Sequence, residues 1–129
     1  MEEKTISKIL KYTFLTSGSA ALIFGITFLF FIEIYLDIVQ WPYYAPLLAR
    51  ILGAALLSLW LLQWLSYKET KWETVKNIVT MMIFWHLLGF IVTLTYQFLY
   101  NLPMANWIHI SVFFVFLIAY VYSYYVENK

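Results

Sequence analysis

Glu33, Arg50, Gln97 and His109 each fall about one to one and a half turns inside a predicted helix end, and Asp37 lies one turn beyond Glu33 on a similar face. At 1.5 Å per residue these groups sit roughly 6 to 9 Å below one surface of the molecule. An unpaired arginine at such a depth in a membrane costs on the order of 3 kcal/mol, so Arg50 is expected to bond a carboxylate. Glu33 is the first choice by depth and Asp37 the second, with Gln97 and His109 filling the remaining hydrogen-bonding positions. Such a cluster could act as an ion pair that fixes helix register, or as a polar pocket open to the outer surface.

The two histidines, His86 and His109, invite a bis-histidine haem, but axial ligands must lie nearly level. Counted from the outer turn their depths differ by roughly 13 Å, which argues against a haem within one protomer and leaves open one shared with another chain. Zinc held by His109, Glu33 and Asp37 is geometrically conceivable, yet the sequence has no metal-ligand spacing, so neither metal nor cofactor is expected. His86 reads as a neutral side chain bonded to a neighbouring helix; a proton relay is the alternative. GxSxG, HExxH, a phosphate-binding glycine loop and paired loop aspartates are all missing, and Ser17 and Ser19 have no histidine at their depth. No enzyme is expected.

The elements that must position these residues follow from hydropathy. From Asn77 to Val126, fifty consecutive residues carry no Asp, Glu, Lys or Arg. One helix of that length would run about 75 Å against a hydrocarbon core of roughly 30 Å, so the segment must turn back. Asn101 and Pro103 supply the turn, giving crossings over about 74–100 and 104–126. Between Lys11 and Glu33 lie 21 uncharged residues, enough for a first crossing over about 12–38. A cleaved signal peptide is the alternative for this segment, but Glu2 and Glu3 do not suit its leader. VQWPYYAP (39–46) reads as an interfacial loop with Pro46 in the first turn of a helix over about 46–66, and YKETKWETVK (67–76) as a solvated loop running into the third helix. The expected fold is an all-α integral membrane four-helix antiparallel bundle, a single domain over 1–129.

Composition agrees: 64% of the 129 residues are hydrophobic and 12% charged, too little charge to cover a soluble surface. Net charge is +1, which offers no basic face to nucleic acid. Without cysteine there is no disulfide and no thiolate site. Trp and Tyr gather near the helix ends, as at membrane interfaces. Lys4, Lys8 and Lys11, then Lys68, Lys71 and Lys76, then Lys129 lie on one side and only Arg50 on the other, so both termini are expected to face the cytoplasm across the cell membrane.

Small and polar residues mark the faces turned inward, because lipid is as apolar as leucine. They are Gly18, Leu22, Gly25, Leu29 and Glu33 on the first helix, and Arg50, Gly53, Ala54, Leu57 and Leu61 on the second. On the third they are His86, Gly89, Thr93, Gln97 and Tyr100, and on the fourth His109, Phe116, Tyr120 and Ser123. Ala45, Ala49 and Gly53 form a small-residue run beside the second stripe that could receive another helix.

ARILGAALLSLWLLQWL (49–65), the charged loop after it and FWHLLG (84–89) resemble the DoxX-like group of small four-helix membrane proteins of bacteria and archaea. That group is named for a small subunit of a terminal quinol oxidase, so the resemblance implies an accessory-subunit role. The expected function is a non-catalytic accessory or assembly subunit, or a homo-oligomer, whose partners are the bilayer and another membrane protein or a second copy. The alternative is a binder or carrier of a lipid or small amphipathic molecule.

Overall fold

The computed structural model describes residues 3–129. It is helical throughout: α1 Lys8–Phe30, α2 Ile32–Ile38, α3 Pro46–Lys68, α4 Trp72–Tyr100 and α5 Ala105–Glu127. All but α2 are long and apolar enough to cross a membrane, as a multi-pass membrane protein requires.

The first crossing differs from expectation at both ends. It begins at Lys8, because Ser7 caps it: the Ser7 hydroxyl accepts the Leu10 N–H at 3.2 Å. It stops at Phe31, whose φ of −126° and ψ of 24° interrupt the helix, so the expected continuous helix 12–38 is two helices. The later turns follow the sequence closely. Pro46 opens α3, and Asn101 ends α4 in the left-handed region at φ 46°.

The charged leader and the 67–76 loop are not simply solvated. Thr5 and Lys71 form an antiparallel bridge in which Ile6 N–H reaches Thr70 O at 2.9 Å and Trp72 N–H reaches Lys4 O at 3.0 Å. The far end of the chain joins them: Glu127, 2% exposed, accepts the Ser7 N–H on Oε1 at 2.8 Å, and Lys4 Nζ donates to the Glu127 carbonyl. Both termini and the α3–α4 loop therefore share one end of the bundle, called the terminal end below. The side-chain core lies there too, built from Leu10, Phe14, Trp72, Val75, Val79, Met82 and Tyr120.

Helix α1 packs along α3, α5 packs along α4, and α1 also meets α5. The order around the bundle is thus α3, α1, α5, α4, and no comparable packing closes the side between α4 and α3. At the α1–α3 crossing, a Cβ placed on Gly53 would stand 2.6 Å from the Leu29 nitrogen and 2.9 Å from the Gly25 oxygen. Only glycine allows the two backbones to come this close.

Candidate functional site

The cluster expected near the outer surface does not assemble as one site. Arg50 does bond Glu33, Nη2 to Oε1 at 2.6 Å, but the two side chains are 38% and 46% exposed. Glu33 lies on α2, a short helix outside the four long ones, and Arg50 in the second turn of α3, so the pair bridges the α2–α3 junction on its exposed side. There the Arg50 guanidinium holds the Glu33 carboxyl below the usual carboxylate range. Asp37 is exposed, and its backbone carbonyl takes the Gln40 side-chain amide at 2.7 Å.

Gln97 turns away from the other three. It is buried at the α4–α5 turn, where Nε2 donates to Leu102 O at 3.0 Å and Oε1 accepts from Asn106 Nδ2 at 3.0 Å. Asn106 Nδ2 also reaches Thr93 O at 3.1 Å. These bonds satisfy the polar groups of a tight hairpin turn, which is a structural task. Four groups at one depth fail to meet because depth fixes only position along a helix; which way each points is set by rotation about the axis.

What the helices do enclose is an apolar cavity of about 290 Å³ between the two hairpins. All five helices line it. From α1 come Ser17, Ala21, Phe24 and Phe28; from α2, Tyr35; from α3, Ala49, Leu52, Leu56 and Gln63; from α4, Met82, Trp85, His86 and Thr93; from α5, His109, Phe113 and Phe116; Trp41 adds a wall from the α2–α3 loop. Of the expected inward polar residues, His86, Thr93 and His109 reach it, together with Ala49 from the small-residue run. Glu33, Asp37, Arg50 and Gln97 do not.

The end of the cavity away from the termini is an aromatic box. The Tyr35 hydroxyl and His109 Nε2 are 2.6 Å apart, and the imidazole is ringed by Phe24, Phe28 and Trp41 at centroid distances of 5.6, 6.3 and 6.1 Å. This contact ties α2 to α5 across the top of the cavity.

The deep end holds a second polar group that the sequence reading missed. Tyr120, fully buried, donates its hydroxyl to Gln63 Oε1 at 2.6 Å, and Gln63 Nε2 donates to Leu59 O at 3.1 Å. His86, 4% exposed, lies beside Tyr120 with ring centroids 5.5 Å apart. Gln63 is the one amide in the third helix of the chain and gave the same signal as Gln97, so it was available to a reader of the sequence. His109 lies eleven residues before Tyr120, so the two polar levels are about 16 Å apart along α5.

The packing residues fall in place with one change of role. Gly18 and Gly25 on α1 face α3, and Gly89 leaves room for Phe113, whose ring atoms would stand as near as 2.2 Å to an added Cβ. Two of the three residues in the small-residue run that could receive another helix are used inside the molecule, Gly53 against α1 and Ala49 on the cavity wall, while Ala45 is exposed. Ala54 and Leu61, expected inward, are exposed, and so is Tyr100. A search against protein families, curated proteins and solved structures finds no match to this chain.

Proposed function

We propose that this protein binds a lipid or a small amphipathic molecule within the membrane, in the cavity between its two hairpins. The observation that carries the reading is the combination of an apolar cavity lined by every helix with a bundle side, between α3 and α4, where the helices pack far less closely than elsewhere. Its size lies at the lower edge of small-molecule pockets, roughly 300 to 1,000 Å³. Core packing blocks the terminal end and the Tyr35–His109 contact with Trp41 spans the opposite one. The remaining route is sideways from the acyl chains, which selects a ligand that partitions into the bilayer. A polar solute in water has no comparable path.

The test is native mass spectrometry of the full chain released from lipid nanodiscs, beside the cavity-filling variants Ala49→Phe and Leu56→Trp. The wild type is expected to retain one apolar molecule that both variants lose while keeping their helix content. Equal retention by all three would refute the reading. The lysine-rich terminal end is taken to face the cytoplasm of the cell membrane. A reporter fused after Lys129 and active only outside the cell would overturn that orientation.

A further inference from the structure

We infer that the ligand is a neutral long-chain alcohol, whose hydroxyl donates a hydrogen bond to Nε2 of His86 at the deep end of the cavity. The inference rests on the binding reading above and adds the chemical class of the ligand.

His86 Nδ1 lies 2.7 Å from the Met82 carbonyl oxygen. A carbonyl oxygen can only accept, so Nδ1 carries the proton. No Asp or Glu lines the cavity among the described residues, and a second proton would place an unpaired charge in apolar surroundings. The imidazole is therefore neutral, and Nε2 presents a lone pair. That lone pair has no partner among the described residues, although every fully buried side-chain nitrogen and oxygen there has one. Nε2 must then belong to the 4% of His86 that remains open, on a residue that lines the cavity.

The Tyr120 hydroxyl beside it cannot fill this place, because it gives its proton to Gln63 Oε1, and Gln63 itself is wholly buried. His86 Nε2 thus calls for a donor, which a hydroxyl supplies and an ester or an ether does not.

Location narrows the class further. His86 is the central residue of the 29-residue α4, about 21 Å from either end at 1.5 Å per residue. A phosphate, carboxylate or ammonium headgroup would have to leave its hydration shell to reach this level, where the lining offers no opposite charge. A hydroxyl is a neutral donor with the least polar surface to desolvate. Its chain would lie outward from His86 along Phe113 and Phe116 toward the aromatic box.

The experiment uses the full chain in nanodiscs and two photoreactive probes with the same diazirine-bearing dodecyl chain, one ending in a hydroxyl and one in a methyl ether. Crosslinked residues are mapped by mass spectrometry. The alcohol is expected to label cavity residues about five- to tenfold more than the ether in the wild type. His86→Leu should bring that ratio near one by weakening alcohol labelling alone. Equal labelling of the wild-type cavity by both probes would overturn the donor assignment and leave the binding reading standing; this comparison needs no variant to fold. A ratio unchanged in His86→Leu would move the acceptor elsewhere and overturn the role of His86. Labelling confined to the lipid-facing surface with both probes would defeat the inference and the binding reading together.

Discussion

Replacing Gly53 by alanine tests whether the α1–α3 contact is as close as the structure has it. The new Cβ would lie 2.6 Å from Leu29 N, 2.9 Å from Gly25 O and 3.0 Å from Phe28 C, all backbone atoms of α1 that no side-chain rotation can clear. Overpacking a tight site costs about 1 to 3 kcal/mol, and a backbone-on-backbone clash belongs near the top of that range. Alanine returns about 1 kcal/mol through its better helix propensity, leaving a net loss of about 2 kcal/mol. Gly18→Ala is the control on the same helix pair. Its Cβ would meet Gln63 Cβ at 3.4 Å and Trp60 Cδ1 at 3.9 Å, ordinary contact distances, so only the propensity gain remains. The two substitutions, chemically identical, should differ by about 3 kcal/mol, which is more than a hundredfold in the folded-to-unfolded ratio. Reversible unfolding in mixed micelles of rising dodecyl sulfate content, followed by tryptophan fluorescence, measures the difference. If Gly53→Ala proves as stable as Gly18→Ala, the helices are not in the contact described, and the cavity wall they form is misplaced with them.

Two further outcomes can be read in the same assay. Tyr120→Phe should cost about 1 to 3 kcal/mol by leaving Gln63 Oε1 buried without its donor, and adding Gln63→Leu should recover most of the loss; additive losses would contradict the hydrogen bond. The Glu33–Arg50 pair should stabilise the fold at neutral pH and fade under acid. Arg50 holds the folded carboxyl below its ordinary 4.5, so the contribution is present above that value and is lost as pH falls through the lower folded one. Glu33→Gln should remove this acid-dependent part of the melting curve, and an unchanged curve would mean the pair contributes nothing.

How far the sequence discloses the fold depends on how local each cause is. Asn101 and Pro103, Pro46 and the long uncharged runs act on their own neighbours, and the helices lie close to where those residues put them. The break at Phe31 has no such signal: the FLFFIEI stretch holds neither Pro nor Gly and is apolar up to Glu33. The leader is similar, since Thr5 finds Lys71 and Ser7 finds Glu127 only after the chain has folded back on itself. Glu33 and Arg50 could be paired by depth because they flank one junction. The same counting failed for Gln97 and His109, which stand near one level but answer to different partners, Asn106 in the turn and Tyr35 across the cavity. The cavity itself could not be read from any residue, because it is the space left between faces whose rotation the hydropathy of a membrane helix does not encode.

The positions of the polar bonds also say where that space can change. At the terminal end the two hairpins are fastened by backbone pairing of residues 4–6 with 70–72 and by Glu127 on the α1 cap, with Leu10, Phe14, Val75 and Val79 filling the interior. At the other end α2 reaches α5 through the Tyr35–His109 contact, and α2 is itself set off from α1 by the break at Phe31. Elements with few buried contacts open at lower free energy than a packed core, so separation of α3 from α4 is easiest toward Trp41 and hardest near Trp72. A molecule entering between those helices would come in beside the aromatic box and move inward along Phe113, with the acceptor on His86 the last group it meets.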